Sequence, residues 1–450
     1  MKVSKIKSNF IFEDIRLNAG YFLNEDALNS MKLESNRNRC ISLGQVANVW
    51  NPPIFKRQFC EKTERSIPYC QSSDVTNLLE GSDVYIYKEQ ALKVNSVVKE
   101  NQILVTGFGT IGNTRLVNEL SSGISYANNV CRIEANEKLP FGYIYAFLTS
   151  KYGRSQLNKN ASGSVVRYIE APGIKKTLIP ILSAEKQQQI HQLIVEASEL
   201  RVEANRLLNE AIIAIEGKCP NINNEKMYSI KIRERFFHSK RLEANYNSKS
   251  IDKFYSELSK NEIELKSIAE LSQSVFTPNI FKRIRTENPE TGIPFLSGSE
   301  LLQQYPRFQN YLSKGMKNIE NYVLKDGWLA IQDAGTIGYL SYIHKYLDGV
   351  TATNNLIRII PSEDNYNYYI YAFLKSDVGQ KLLKFLEFGS VQKHIDNHQI
   401  SNFKIPIFKD VFENISRNVE NAMNCFSDAC FKENQAIALI EKEIDLWQVS

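Results

Sequence analysis

No apolar run in the sequence reaches the roughly 18 residues that a membrane-spanning helix requires. The first residues, MKVSKIKSNFIFED, lack the apolar centre of a secretory signal peptide. The seven cysteines are odd in number and include no Cys-x-x-Cys pair, a usage typical of reduced thiols in a cytoplasmic protein. These absences predict a cytoplasmic protein that neither spans a membrane nor depends on disulfides.

An excess of one charge is also missing. The formal net charge is only +5 over 450 residues, which permits contact with nucleic acid without requiring it. Hydrophobic content of 43% and charged content of 23% are those of a globular protein. The length allows roughly two to four domains with cores of their own.

The chain does contain an internal duplication. Segments recur at one constant offset of 226 residues, and about 130 residues align without a net gap. The pairs are Asn51–Arg57 with Thr277–Arg283, Ile67–Tyr69 with Ile293–Phe295, Gly109–Gly112 with Gly335–Gly338, Asn128–Arg132 with Asn354–Arg358, Tyr143–Leu148 with Tyr369–Leu374, Gly163–Val165 with Gly389–Val391, and Ile179-Pro180 with Ile405-Pro406. Upstream, Arg16-Leu17 matches Arg241-Leu242 at an offset of 225. Chance does not hold one offset over so many motifs, so the chain is two tandem copies of one unit.

Each copy predicts the same α+β domain. β-rich segments are followed by a short helix carrying Tyr-Ile-Tyr-Ala-Phe-Leu, then by a Gly-Ser-Val loop and a long helix. The Gly-Thr-Ile-Gly segments lie between β-rich runs, so their glycines are expected in tight turns or bulges. We predict domains at 1–183 and 218–409, with long helices at 184–217 and 410–450.

The two long helices each carry an apolar stripe at heptad spacing. In the first it comprises Ile190, Leu193, Ala197, Leu200, Ala204, Leu207, Ala211 and Ala214; in the second, Val419, Met423, Phe426, Cys430, Ile437, Ile440, Ile444 and Trp447, with Glu433 as the one polar member. We predict an antiparallel coiled coil with pseudo-two-fold symmetry and its seam at Leu193, Leu200, Leu207, Phe426, Ile437, Ile440 and Ile444. Ordinary packing of each helix on a globular core is the alternative. A helix of this length spans ~48 Å, and a separation of ~45–55 Å between the two domains corresponds to roughly 13–16 base pairs of DNA.

Three motifs resemble catalytic or cofactor sites and are set aside. Gly107–Gly112 matches GxGxxG, but a strand rather than a helix follows, and the second copy has Asp333 at the first glycine. Asn51-Pro-Pro-Ile54 resembles the Asn/Asp-Pro-Pro-Tyr/Phe loop of amino-methyltransferases, but it lacks the aromatic residue at the last position. His394 and His398 have no third ligand nearby, so a surface or DNA-facing loop is favoured over a metal site.

The chain resembles the specificity subunit of type I restriction-modification systems over essentially its whole length. The resemblance is carried by the paired Arg-Leu-x-Ala-x-Tyr starts (Arg16–Tyr21 and Arg241–Tyr246), the Gly-Thr-Ile-Gly turns, the Tyr-Ile-Tyr-Ala-Phe-Leu helices, the Gly-Ser-Val loops and the Glu-Lys-Gln-Gln-Gln-Ile helix start at Glu185. The second long helix departs from the pattern, because it begins Lys-Asp-Val-Phe-Glu-Asn-Ile.

This resemblance implies two target-recognition domains that read a two-part site in double-stranded DNA, and a chain without catalytic residues, cofactor or metal of its own. It implies that DNA adenine methyltransferase subunits, two in number, dock on the helices and carry S-adenosylmethionine. A restriction and translocase subunit that uses ATP and Mg can join them.

Candidate DNA contacts follow from comparing the two copies. Basic residues shared by both are candidates for phosphate contacts, which position without specifying sequence: Lys56, Arg57, Arg167, Lys282, Arg283 and Lys393. Residues that differ are candidates for base readout: Arg65, Asn113, Arg115, Tyr168, Arg285, Tyr339, Tyr342 and His394. The alternative for the basic residues is solvated surface charge, and Arg132 and Arg358 are equally suited to a structural role.

The leading hypothesis is a non-catalytic DNA-recognition subunit. A scaffold or anti-restriction decoy, which binds partner subunits without reading DNA, is the alternative. An autonomous enzyme is not supported, because we find no recognisable cofactor or metal site in the sequence.

Overall fold

The computed structural model describes residues 24–78, 81–162, 167–222, 246–334, 337–362, 366–389 and 392–448. The chain divides into two compact units: unit 1 comprises Met1–Val202 with Ala429–Ser450, and unit 2 comprises Glu203–Asp428. Each unit therefore contains a part of both long helices. Among the described residues, no helix combines the length and apolar character needed to cross a membrane.

Unit 1 is built from two four-stranded sheets and a two-stranded ribbon. Its strands are β1 (Cys40–Ser42), β2 (Ala47–Trp50), β3 (Phe59–Cys60), β4 (Ser66–Cys70), β5 (Tyr85–Tyr87), β6 (Ile103–Thr106), β7 (Thr114–Leu116), β8 (Ser125–Tyr126), β9 (Val130–Ala135) and β10 (Leu178–Pro180). Its helices are α1 (Glu25–Ser35), α2 (Leu43–Val46), α3 (Lys88–Lys93), α4 (Phe141–Thr149), α5 (Lys151–Lys159), α6 (Ala171–Ile174) and the first part of α7 (Ala184–Glu216). The sheet orders are β2-β9-β6-β7, β3-β5-β4-β8 and β1-β10.

Unit 2 repeats this topology strand for strand. Its helices are the second part of α7, α8 (Lys249–Lys260), α9 (Ile268–Leu271), α10 (Asn367–Lys375), α11 (Asp377–Leu386), α12 (Asn397–Ser401) and the first part of α13 (Lys409–Asp445), whose last part belongs to unit 1. Its strands are β11 (Glu264–Ser267), β12 (Ser272–Phe276), β13 (Arg285–Thr286), β14 (Gly292–Leu296), β15 (Tyr311–Ser313), β16 (Leu329–Gln332), β17 (Leu340–Tyr342), β18 (Thr351–Ala352), β19 (Leu356–Pro361) and β20 (Lys404–Ile407). The orders β12-β19-β16-β17, β13-β15-β14-β18 and β11-β20 match those of unit 1, as expected for a duplicated α+β fold.

The repeated Tyr-Ile-Tyr-Ala-Phe-Leu segment forms the central core helix of each unit. All six of its side chains are buried in α4 and again in α10. The first tyrosine donates a hydrogen bond to a carbonyl oxygen at 2.8 Å in both units, from Tyr143 to Pro180 and from Tyr369 to Pro406. The segment recurs because it maintains the fold in each unit, tying the core helix to the ribbon beside it.

The Gly-Thr-Ile-Gly segment of unit 1 is a turn between β6 and β7, as expected. Gly109 and Gly112 have φ of 71° and 79°, a left-handed conformation that favours glycine. In unit 2, Gly338 has φ of 85°, whereas Gly335 and Thr336 lie outside the described residues. Also outside them lie Arg16–Tyr21, 241–245, the Gly-Ser-Val loop of unit 1, and Ser390 and Val391 of its counterpart.

The two long helices run antiparallel within each unit. In unit 1, Lys186 pairs with Glu443, and Lys432 lies 2.6 Å from Glu196. In unit 2, Lys218 of the segment after α7 lies 2.5 Å from Asp410 near the start of α13. From Lys186 to Glu196 to Lys218 the partner in the second helix moves back from Glu443 to Lys432 to Asp410, as expected for antiparallel helices.

The stripe predicted for α13 is confirmed. Val419, Met423, Phe426, Cys430, Ile437, Ile440, Ile444 and Trp447 are all buried, and the polar member Glu433 is 0% exposed.

The stripe predicted for α7 is shifted at every second position. The buried row comprises Ile190, Ile194, Ala197, Arg201, Ala204, Leu208, Ala211 and Ile215, and Asn205 and Leu207 beside it are also buried. Leu193 and Leu200, predicted in the seam, are only half-buried. Apolar residues stand at both the third and the fourth position after Ile190 and Ala204, so spacing alone did not decide which row turns inward. Packing buried the fourth position, Ile194, after Ile190, and both positions, Leu207 and Leu208, after Ala204.

Candidate nucleic-acid interface

The duplicated Asn-Pro-Pro-Ile-Phe-Lys-Arg segment is an exposed loop that follows β2 in unit 1. Its base is anchored by Asn51, whose amide donates to the Asn128 carbonyl at 3.0 Å and accepts from the Ala171 N–H at 2.9 Å. Its far end is anchored by Gln90, which donates to the Lys56 carbonyl at 2.6 Å and accepts from the Gln58 N–H at 3.0 Å. The loop is therefore held at both ends, while the side chains of Pro53, Ile54, Lys56 and Arg57 are exposed.

Arg57 is positioned by an aromatic side chain of the neighbouring strand β4. Its Nη1 donates a hydrogen bond to the Tyr69 hydroxyl at 3.0 Å, and its guanidinium lies 5.8 Å from that ring centre. Tyr69 is 1% exposed, whereas Arg57 is exposed. A cation held on a buried ring in this way has fewer conformations to lose when it meets a phosphate.

The equivalent loop of unit 2 repeats the arrangement with different chemistry at the ring. Arg283 lies 5.2 Å from the ring centre of Phe295, the residue at the position of Tyr69, and 6.0 Å from that of Phe281. Lys282 and Arg283 are exposed, as are Lys56 and Arg57. Sequence reasoning had noted the Ile-Pro-Tyr and Ile-Pro-Phe repeat but missed these rings as supports for the arginines.

A second candidate surface lies where β6 ends and the chain returns after α5. Tyr168 exchanges backbone hydrogen bonds with Ser162 at 2.8 and 2.9 Å and forms a bridge with Phe108. The rings of Phe108 and Tyr168 stack with centroids 5.4 Å apart, and each is more than a third exposed. Arg167 beside them is exposed and donates to the Asn158 carbonyl. Phe108 was not predicted as part of a site.

Unit 2 keeps this backbone framework and changes the side chains. His394 exchanges backbone hydrogen bonds with Phe388 at 2.8 and 2.9 Å, and it forms a bridge with Ala334, the counterpart of Phe108. Burial raises the pKa of the nearby Asp333 carboxyl, and the charge of His394 opposes that shift. Lys393 is exposed. The aromatic pair of unit 1 is therefore replaced by histidine and alanine on the same scaffold.

The remaining candidates for base readout differ in solvent exposure. Arg65 and Arg285 are exposed near the β3-β5-β4-β8 sheet and its counterpart, and Tyr339 is 50% exposed. Asn113 is half-buried in the turn after β6, where its N–H donates to the Thr106 hydroxyl at 3.0 Å.

Two predicted base-reading residues are wrong because they are buried. Arg115 is 0% exposed and donates from Nη1 to the carbonyls of Val75 and Asn77, both at 3.0 Å. Tyr342 is 5% exposed, stacks on Tyr368 with centroids 5.5 Å apart, and accepts a hydrogen bond from Asn367. Each of these side chains stabilises its own domain and is not accessible to a ligand.

The repeated arginines Arg132 and Arg358 have the structural role. Both are 0% exposed, and Arg132 donates to the carbonyls of Ser96, Tyr126, Ala127 and Val130. Burial lowers the pKa of each to about 10. In the described part of the chain no cluster of three candidate metal ligands occurs, and the side chain of His398 contacts Asn402.

A family model for the type I restriction modification DNA specificity domain matches the chain twice, at residues 39–212 and 259–409. The chain belongs to the type I restriction-modification specificity family. The two matches cover well over half of the sequence and fall one on each copy of the duplication. The repeated units are therefore type I specificity domains.

The chain also matches solved structures of type I specificity subunits. The type I restriction-modification S subunit from M. genitalium has 14% identity and a TM-score of 0.29, over 90% of this chain and 93% of that one. The HsdS subunit from Thermoanaerobacter tengcongensis has 13% identity and a TM-score of 0.29, over 91% and 97%. No curated protein sequence gives a significant match. The family assignment rests on the two domain matches.

Proposed function

We propose that this chain is the specificity subunit of a type I-like restriction-modification complex and that its two domains each read one half of a bipartite site in double-stranded DNA. The proposal rests on one observation: the two units share the same backbone framework and cation-bearing loops but differ in other exposed side chains. The cation-bearing loops recur in both units, whereas the Phe108–Tyr168 stack is replaced by Ala334 and His394. Constant cations suit phosphates, and variable side chains suit different base sequences.

The chemistry in this proposal belongs to partner subunits. Two DNA adenine methyltransferase subunits would supply S-adenosylmethionine and dock on the long helices, and an ATP- and Mg-dependent translocase and nuclease would join them. Apolar side chains left exposed on these helices support a docking role: Ile213 is 66% and Phe431 48% exposed. No disulfide joins the seven cysteines, all of which lie in the described residues, in keeping with a cytoplasmic complex.

Mapping methylated adenines by single-molecule sequencing tests the proposal in a host that carries this chain with its cognate methyltransferase subunit. We expect a split motif with two short half-sites around a constant gap. Replacing residues 1–183 by those of another family member should change one half-site only.

A continuous motif would contradict reading by both domains. An assembled complex that binds DNA without sequence preference, or that methylates nothing, would favour the scaffold or decoy function instead.

A further inference from the structure

The most exposed large hydrophobic side chains among the described residues occupy equivalent positions in the two units. Ile54 is 87% exposed and Ile280 is 88% exposed, and they are 226 residues apart. Both stand at the tip of the anchored loop that carries the shared lysine and arginine. An exposed isoleucine side chain contributes no hydrophobic stabilisation to the free protein. Since one occurs at the same position in both units, we look for a ligand that would bury it.

The neighbouring phenylalanine shows that the loop could have turned its apolar side chain inward. Phe55 packs on the cluster around Ile67 and Tyr69. Phe281 packs on the ring of Tyr322, with centroids 3.8 Å apart. In each loop the phenylalanine is thus the anchor and the isoleucine before it points away. Prolines at 52, 53 and 278 restrict the backbone, so the tip loses little conformational freedom on binding.

The positive charges around the tip favour DNA over a protein as the ligand. Exposed Lys56 and Arg57 follow Ile54 by two and three residues, and Lys282 and Arg283 follow Ile280 in the same way. Lysine is depleted in the cores of protein–protein interfaces, whereas interfaces with DNA are rich in cations. Isoleucine is one of the apolar residues that DNA-bending proteins insert between base pairs from the minor groove.

We propose that Ile54 and Ile280 insert into duplex DNA at a base-pair step beside each half-site, while the cations that follow them bind the flanking phosphates. This role rests on the proposed function and adds a site to it. The insertion partly unstacks one step in each half-site. Since the same residue acts in both, it selects for a deformable step, such as TA or CA, and not for a particular base.

The test uses the assembled methyltransferase complex and duplexes that carry the mapped site with 2-aminopurine at successive steps. Insertion unstacks the probe and raises its fluorescence at one position per half-site. Ile54→Ala should abolish the signal in one half-site and Ile280→Ala in the other. Removing most of a buried aliphatic side chain should weaken binding about tenfold in each case. Ile181→Ala, which removes a 50% exposed isoleucine outside the loops, is the matched control and should change neither signal.

The outcomes separate this inference from the proposed function. If the unmodified complex binds its site selectively but no position gains fluorescence, or the isoleucine variants behave like Ile181→Ala, the insertion is refuted and the proposed function stands. If Ile54→Ala instead lowers the number of methyltransferase subunits retained in native mass spectra, the tip binds protein and the inference fails. A complex without any sequence selectivity refutes the proposed function itself.

Discussion

Arg201 and Glu433 form an ion pair between the two long helices in unit 1, and removing one partner should destabilise the chain severely. Their side chains are 7% and 0% exposed, and Arg201 Nη2 lies 2.6 Å from Glu433 Oε2. The other carboxylate oxygen accepts a hydrogen bond from the Tyr145 hydroxyl at 2.8 Å. Burial disfavours the charge on Arg201, but the charge of Glu433, its hydrogen bond and smaller effects of Cys430 and Tyr145 together outweigh burial and raise the pKa of Arg201 above its ordinary value. Arg201 therefore stays charged at neutral pH.

The magnitude follows from what each variant leaves behind. Arg201→Met keeps the aliphatic volume but strands a buried carboxylate, and breaking a buried pair in this way costs about 3–5 kcal/mol. Arg201→Met with Glu433→Leu removes both charges, and such apolar replacements are neutral or stabilising by ~1–4 kcal/mol. The double variant leaves the Tyr145 hydroxyl without its acceptor, which costs ~1–3 kcal/mol. We therefore expect the double variant within about 2 kcal/mol of the native protein and well above the single variant in stability.

Urea unfolding of the full chain at pH 7, followed by circular dichroism and tryptophan fluorescence, measures these differences. Arg206→Met is the control on the same helix, because Arg206 pairs with Glu203 and Glu210 at the surface, where its side chain is 52% exposed. That variant should match the native protein within error. The reasoning is refuted if Arg201→Met costs no more than Arg206→Met, or if the double variant is as unstable as Arg201→Met.

Four further expectations concern the loops, the helices and the core. Replacing Lys56 and Arg57 by alanine together should weaken DNA binding uniformly across sequences and lower the slope of log affinity against log salt by about two; a change confined to cognate DNA would speak against phosphate contacts. Inserting one heptad in each long helix should lengthen the gap between half-sites by ~10 Å, or about three base pairs, in the methylome; an unchanged gap would show that the helices do not set it. Gly153→Ala should lower the melting temperature sharply, since its Cβ would lie 2.1 Å from the Phe147 carbonyl oxygen, and a neutral outcome would mean that the α4–α5 corner opens at little cost. Burial lowers the pKa of His344 from 6.5 to about 4. The unfolded chain therefore binds a proton that the folded chain rejects, and the unfolding free energy should fall by up to ~3 kcal/mol as the pH drops from 6.5 to 4. In the His344→Gln variant the unfolding free energy should change less between pH 6.5 and 4. If it falls as much as in the native protein, other groups cause the loss.

The sequence by itself determined the features that repeat or that depend on neighbours along the chain. One constant offset revealed the duplication, and uninterrupted helix-forming residues predicted α7 and α13 within a residue or two of their starts. The left-handed glycines at 109 and 112 were readable because only glycine adopts such a φ at little cost. The stripe of α13, including buried Glu433, followed from heptad spacing, whereas the burial of Ala422, Ala429 and Ala436 beside it did not.

Tertiary structure decided the features that depend on partners far away in the chain. Helix α7 offers two adjacent rows, and only packing buried Ile194 in preference to Leu193 and Arg201 in preference to Leu200. Arg115 has the sequence signature of a reading residue, yet carbonyls about 40 positions earlier hold it inside the domain. Arg201 meets Glu433 across 232 residues, and no local pattern pairs them. Burial of a charged side chain is set by which donors and acceptors surround it in space, and that information is absent from its spacing along the chain.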